Sequence, residues 1–307
     1  MAQKLSDIKT FTELEQYLQQ KGVGHQNYRH YTNLDNIISM LDSGYLWLSR
    51  GDQLNDRQEL SKGNPAEWEK IYLASFVYGR SENIAMWAIY GLPHDEAACL
   101  SLPSMEINKW VSGIKTLHDP SDGYKKIEAG FTAKMIDVVY IGGKRGQKDT
   151  LLQWNGERLY LDEQDNKKKP ELSDDFTAIS SAACLTGCIK NYAWVYENEV
   201  RIQVKLDQPI DCTRIAIRFP DNFFVPVNVK GANEQDKVCI TYGPWKDIRK
   251  SIQFDQAFQH RTGQYGDKIT FADSEFNDLV RLKELCEYCT AGKDKRMPGR
   301  LNSSIFS

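Results

Sequence analysis

Two acids separated by one residue are the first candidates for chemistry in this sequence. Glu197 and Glu199 lie in the polar-aromatic segment 194–201, which ends at Arg201. Alternate side chains of a strand point to the same face, so a strand beginning here places both acids and the arginine together. Neighbouring carboxylates repel each other, and an arginine offsets that repulsion. The segment is consistent with a charged reaction site and also with an acidic strand edge that faces solvent.

A histidine near the start of the chain is the second candidate. His30 is followed by Tyr31 and Thr32, and the pattern predicts a strand that ends beside the start of a helix. Both ring nitrogens of a histidine placed there can serve a polar ligand. The alternative is a strand histidine that hydrogen-bonds a neighbouring carbonyl group.

Two further blocks have residue types suited to a ligand. Asn55 and Asp56 begin an Asn-Asp-x-x-Glu block, in which both side chains can shape a turn by bonding their own backbone. Trp87 and Tyr90 are three residues apart on a predicted helix and share one of its faces. They could stack on a flat ring such as nicotinamide or adenine, although an ordinary loop and core packing are the better explanations of the two blocks when each is taken alone.

The elements that must position these residues follow from hydrophobic periodicity. We expect a helix over Ile8–Gln20, with Thr12 as a candidate cap, and a helix over Leu34–Leu41 capped by Asn33 and stopped by Gly44. Further helices are predicted over Glu82–Tyr90, Phe176–Ile189, Asp247–Phe258 and Asp273–Cys289. Predicted strands cover Asn27–Thr32, Tyr45–Ser49, Ile71–Tyr78, Ala97–Leu102, Ala133–Ile141, Glu199–Leu206, Arg214–Phe219, Phe223–Val229 and Val238–Tyr242.

Composition excludes several broad classes. The 307 residues include 41% hydrophobic residues and seven Trp, which is enough to build a core and argues against disorder. A net charge of −3 does not indicate an extended basic face for nucleic acid. We see neither a charged-then-apolar leader nor a run of 18 apolar residues, and seven cysteines without a secretion signal indicate reduced thiols. We therefore expect a cytoplasmic protein that does not enter a membrane.

Taken together and in order, the blocks resemble a large bacterial family of uncharacterised domains that is grouped with the ADP-ribosyltransferase superfamily. The shared order is His-Tyr-Thr, a helix, Gly-x-Leu-x-x-Ser, Asn-Asp-x-x-Glu, Trp-x-x-Tyr and Glu-x-Glu-x-Arg, over roughly Tyr28 to Ile252. The chain departs from the family at Val200, where Trp is usual, and at Arg57-Gln58, where Pro and an aromatic residue are usual.

The resemblance implies a fold and a set of roles. The fold would be α+β, with a mixed, mostly antiparallel split sheet and peripheral helices. An N-terminal helix over 1–24 would precede a catalytic domain over 25–260, and a C-terminal helix with a basic tail over 261–307 would pack on the same domain. Glu199, Glu197 and His30 would be catalytic, and NAD would be a substrate, without a metal. The residues contacting NAD would be His30, Tyr31, Thr32, Ser49, Asn55, Asp56, Trp87, Tyr90 and Arg201.

The function implied is transfer of ADP-ribose from NAD to a macromolecule, DNA, RNA or protein, by a bacterial toxin or anti-phage defence effector. An antitoxin or regulatory partner would be expected for such an enzyme. Alternatives are an NAD glycohydrolase, in which water is the acceptor, and a non-catalytic nucleotide-binding or interaction module.

Two other patterns predict no site. Cys286 and Cys289 form a Cys-x-x-Cys pair, but the nearest other pair, Cys184 and Cys188, is about a hundred residues away and has different spacing, which does not favour zinc. The segment 142–146 lacks the spacing of a phosphate-binding loop and reads as a turn. The lysine run at 167–169 and the basic tail are typical of solvated charge.

Overall fold

The structure is a computed structural model that describes residues 4–54, 59–61, 65–79, 81–142, 151–160, 183–221, 224 and 238–277. It is a mixed α and β protein in which antiparallel strand pairing dominates. The described part contains an eleven-stranded and a four-stranded sheet.

The strands of the large sheet come from most of the chain. They are β1 Tyr28–Asn33, β2 Tyr45–Arg50, β3 Ile71–Val77, β4 Ala97–Leu102, β5 Leu117–Asp119, β6 Lys125–Ile127, β7 Phe131–Asp137, β12 Glu199–Leu206, β13 Arg214–Arg218, β14 Val238–Tyr242 and β15 Ile269–Asp273. The small sheet contains β8 Val139–Ile141, β9 Leu151–Trp154, β10 Glu157–Tyr160 and β11 Ile189–Asn191.

The helices lie around these sheets, and side-chain caps define where four of them begin. They are α1 Phe11–Gly22, α2 Leu34–Ser43, α3 Ile84–Tyr90, α4 Ser104–Ser112 and α5 Ile248–Thr262. Thr10, not Thr12, caps α1, and its side chain accepts from the Glu13 amide. The predicted cap Asn33 of α2 is confirmed, and Gly44 ends that helix at φ 75°, a left-handed backbone that glycine adopts without strain.

Two strands of the large sheet, β1 and β2, pair with the same edge of β3. β12 pairs with β3 along its whole length, from Glu199 opposite Val77 to Lys205 opposite Ile71. On the other edge β1 meets β3 at Val77, whereas β2 meets it at Leu73 and Tyr72. β1 and β2 therefore part along β3, and the gap between them opens beside Ala74 and Ser75.

Helix α1 lies very close to strand β7 of the large sheet. Helix α1 packs on β7, and a Cβ added at Gly22 would lie 3.0 Å from the Ile136 backbone. Only a residue without a side chain permits that approach. The apolar face of α1 meets the small sheet in one core cluster, while α2, α4 and α5 cover the large sheet in another.

Several elements of the structure differ from the sequence predictions. The strand expected over Ala133–Ile141 is two strands, because the chain passes from the large sheet to the small one at Val138. Residues 183–189, expected to end a helix, form a short 3-10 turn and the start of β11. Asp273, where a helix was expected to begin, instead ends the unpredicted β15, and the described residues 274–277 are not helical. Helix α4 was also missed, because Pro103 precedes it without a side-chain cap.

The remaining predictions on these regions lie partly outside the described residues. These are the helix segments over 176–182 and 278–289, most of the strand over 223–229, and the basic tail. The domain boundary expected after residue 260 falls inside α5, which ends at Thr262.

Candidate functional site

A cavity of about 370 Å³ lies where β1 and β2 part. Its floor is the middle of β3, from Leu73 to Val77, and residues from at least five other segments complete the wall. The predicted site residues among its lining are His30, Tyr31, Thr32, Ser49, Tyr90, Glu197, Glu199 and Arg201.

His30 reaches across the gap from β1 to β3. Its Nδ1 lies 2.9 Å from the Ser75 carbonyl oxygen, which can only accept, so Nδ1 carries the proton. Burial lowers the pKa of His30, which favours the neutral ring. The Nε2 atom is thereby left as a hydrogen-bond acceptor on a residue that lines the cavity.

Glu199 stands at the junction of the two sheets. Its backbone amide donates to the Tyr140 hydroxyl at 3.0 Å, and its carbonyl accepts from the Val138 amide at 3.0 Å. Both partners lie where the chain crosses from β7 to β8. The passage of the chain from the large sheet to the small one, which the sequence did not predict, therefore fixes the position of Glu199.

The carboxylate of Glu199 is held by cations. Arg201 donates to its two oxygens at 2.6 and 3.0 Å, and Lys190 donates at 3.2 Å. The Ser75 side chain also lowers the pKa of this carboxyl group. Burial would raise the pKa of Glu199, but Arg201 and Lys190 outweigh burial and hold it well below its usual range. Glu199 is therefore ionised at neutral pH.

Arg201 is shared with a third acid. Its guanidinium pairs in bidentate fashion with Glu59, and it donates to the Gly187 carbonyl at 2.7 Å. Glu59 and Arg201 are each 1% exposed. The Asn-Asp-x-x-Glu block thus contributes its final acid to the cluster, whereas Asn55 and Asp56 lie outside the described residues.

Glu197 differs from the prediction in how it reaches the cavity. It ends a 3-10 turn, Tyr192–Glu197, and Asn198 follows with φ 44°, so it does not share a regular strand face with Glu199. Its carboxylate accepts from the Tyr90 hydroxyl at 2.8 Å and from Lys190 at 2.5 Å. The turn brings it to Lys190, which bridges the two acids.

Charge within the cluster explains the raised pKa of Glu197. Three buried carboxyl groups, of Glu59, Glu197 and Glu199, face two cations, Lys190 and Arg201. Burial and the negative charge of Glu199 raise the pKa of Glu197 to about 7. One proton on Glu197 makes the cluster neutral overall.

Trp87 lies apart from the cavity. Its side chain is fully buried, its ring packs edge-on to Tyr31 at 4.8 Å, and its indole N–H donates to Glu82. Tyr90 and Met86, on the same helix, do line the cavity. Trp87 therefore does not form a wall of this cavity with Tyr90, because its side chain packs into the core.

Three residues of the site were not singled out from the sequence, namely Glu59, Ser75 and Lys190. Ser75 is the one polar residue in the otherwise apolar and aromatic run of β3, and that interruption is a usable signal. Lys190 follows an apolar pair and lies 4.9 Å from the centre of the Trp194 ring. A buried lysine of this kind is recognisable only once its acidic partners are placed.

No match to a known protein family was found for this chain, and searches of curated proteins and of solved structures likewise returned none. Function therefore rests on the geometry of the site. Among the residues that the structure describes, no group of three or more His, Cys, Asp or Glu side chains is arranged to hold a metal ion. The described helices include none with the length and apolar character needed to cross a bilayer.

Proposed function

We propose that this protein cleaves the nicotinamide–ribose bond of NAD and transfers ADP-ribose to a macromolecule, as a bacterial toxin or defence effector. The observation that carries the proposal is the ionised Glu199, fixed by two cations and facing the same cavity as His30. The proposal includes an ADP-ribosyltransferase-like split sheet, which the parting of β1 and β2 along β3 supports.

The reaction needs a negative charge near the sugar. When the bond from C1′ to the nicotinamide nitrogen breaks, its electron pair leaves with nicotinamide and the ribose gains oxocarbenium character. A fixed carboxylate stabilises that positive charge without having to reorganise. Glu199 meets this need, and a ribose hydroxyl would replace its longest contact, the 3.2 Å bond from Lys190.

Glu197 is suited to the second half of the reaction. A general base works best when its pKa lies near the working pH, and that of Glu197 is about 7. In the proposed step the acceptor bonds to C1′ and its proton passes to the Glu197 carboxylate. Tyr90, which donates to this acid, would keep it in place.

The remaining lining residues would bind the dinucleotide. His30 offers Nε2 to a ribose hydroxyl, and Tyr31, Thr32 and Ser49 line the same side of the cavity. Tyr90 and Trp194 are the aromatic residues placed beside the carboxylates, and we assign the nicotinamide wall to them. No step requires a metal.

The direct test is incubation of the purified protein with NAD labelled in its adenosine part, with and without cell lysate. We expect label to enter a macromolecular fraction, and sorting that fraction into DNA, RNA and protein gives the acceptor. Rapid nicotinamide release with no label incorporated would instead indicate a glycohydrolase. Binding of NAD without cleavage under either condition would indicate a non-catalytic module and refute the proposal.

A further inference from the structure

An outward face of the large sheet, next to the cavity, carries a cluster of aromatic side chains. It is formed by Tyr45 and Trp47 of β2, His118 of β5 and Tyr124, and we call it the aromatic face. On β2 the alternate residues Leu46 and Leu48 are fully buried, so Tyr45 and Trp47 point away from the core. Each of the four aromatic residues keeps part of its surface exposed.

The rings of the aromatic face are held in a defined arrangement. Tyr45 and Tyr124 stack with centroids 4.4 Å apart and planes 15° from parallel, and His118 meets Tyr45 edge-on at 5.0 Å. The indole N–H of Trp47 donates to the Tyr124 hydroxyl at 3.2 Å. These contacts fix flat aromatic surfaces at a partly exposed position, which core packing does not require.

The backbone at Tyr124 is unusual for a bulky residue. Its φ is 61°, in the left-handed region that an aromatic residue rarely adopts. The turn is held from one side by Asp119, which accepts from the Ser121 amide and hydroxyl at 2.8 and 2.6 Å. Such backbone strain is maintained most often where a side chain has to be placed for function.

Positive charge accompanies the rings. Arg214 and Arg218 stand on β13 opposite Ser49 and Tyr45. Both are exposed, and Arg214 forms no ion pair with any residue that the structure describes, while Arg218 lies 3.5 Å from the exposed Asp221. Arg214 is therefore available to an anion.

The aromatic face is continuous with the cavity. Trp47 and Arg214 line the cavity on one side, and on the other they line a shallow depression of about 270 Å³ together with Pro120, Ser121 and Tyr124. A chain lying on the aromatic face therefore leads directly to the carboxylate cluster.

We propose that the aromatic face binds a single-stranded nucleic acid, whose bases stack on Trp47 and Tyr124 and whose phosphate pairs with Arg214. Unpaired bases stack on aromatic side chains regardless of sequence, and arginine supplies the matching charge. That the bound strand is the ADP-ribose acceptor rests on the proposed function, whereas the binding itself does not.

The test is fluorescence anisotropy on the full chain without NAD, using labelled oligo(dT) and oligo(U) of twenty nucleotides, a duplex of equal length and an acidic peptide. We expect binding of a single strand that weakens as salt rises, because phosphate contacts release counterions. Preference for one of the two oligonucleotides distinguishes a DNA from an RNA ligand. Binding of the acidic peptide alone, or of no probe, would overturn the proposal.

Three variants make the test specific. Tyr124→Ala and Arg214→Ala should each weaken oligonucleotide binding by about tenfold, and only Arg214→Ala should also reduce the salt dependence. Arg158→Ala, which removes an exposed arginine from β10 in the small sheet, is the matched control and should bind as the original protein does. If all three variants weakened oligonucleotide binding equally, binding would depend on non-specific charge. That result would also refute the proposed binding to the aromatic face.

The outcome is separable from that of the proposed function. Single-strand binding without any NAD cleavage would leave the aromatic face standing while removing the catalytic proposal. NAD cleavage without single-strand binding would support the catalytic proposal and refute the proposed binding to the aromatic face.

Discussion

Arg201 holds Glu199 through two hydrogen bonds, from Nε at 2.6 Å and from a terminal nitrogen at 3.0 Å, while its other N–H groups bond Glu59 and the Gly187 carbonyl. One guanidinium therefore ties the acid proposed to be catalytic to a loop residue far away in sequence. All three side chains are buried. Loss of either carboxylate leaves the buried guanidinium with too few partners.

Glu59→Gln should destabilise the fold strongly. Removing one partner of a buried ion pair typically costs about 3–5 kcal/mol, since the other charge remains buried. Chemical denaturation followed by fluorescence measures the loss of unfolding free energy. Asp52→Asn is the matched control, because its pair with Arg50 is partly exposed, and it should cost no more than about 1 kcal/mol. Similar losses for both variants would contradict the clustering of Glu59 with Arg201.

Glu197→Gln should change how stability depends on pH. The pKa of Glu197 is raised from 4.5 to about 7, so the folded state holds this proton more tightly than the unfolded state. The resulting stabilisation is complete below pH 4.5 and is lost as pH rises through 7. The glutamine cannot ionise and avoids that loss.

Unfolding free energies of the original protein and of Glu197→Gln, compared at pH 5 and pH 8.5, measure this effect. Between these values the variant should gain about 3 kcal/mol relative to the original protein, from the size of the pKa change. If the unfolding free energies of the two proteins differed by the same amount at pH 5 and at pH 8.5, Glu197 would be ionised across this range.

Tyr140→Phe should weaken the placement of Glu199. The Tyr140 hydroxyl accepts from the Glu199 amide, and its loss leaves a buried N–H unsatisfied at a cost of about 1–3 kcal/mol. Thermal or denaturant unfolding measures the change. Tyr78→Phe is a suitable control, because the Tyr78 hydroxyl has no hydrogen bond to a described residue. Unchanged stability of Tyr140→Phe would mean that this contact does not anchor the acid.

The sequence predicted local elements better than it predicted their assembly. Periodicity and capping located α2, β2, β4 and β12 within a residue or two, because these features depend on neighbours in the chain. The chain switch at Val138 could not be predicted, since it depends on partners in two different sheets. A continuous apolar run looks the same whether or not it changes sheets.

The candidate site was likewise predicted where it depends on local sequence and missed where it depends on distant segments. His30 and Glu199 could be proposed from local patterns, and both line the cavity. Glu59 and Lys190 complete the cluster from distant segments, and nothing local distinguishes a buried charge from an exposed one. Trp87 and Tyr90 share a helix, but the burial of each depends on what packs against α3, which sequence spacing does not reveal.

The most direct test of the central claim is nicotinamide release from NAD by Glu199→Gln compared with the original protein. We predict a loss of about a hundredfold or more, because a neutral amide cannot stabilise the developing oxocarbenium charge. Circular dichroism and NAD binding would confirm that the variant is folded and still holds its substrate. A folded variant that released nicotinamide as fast as the original protein would contradict the assignment of Glu199.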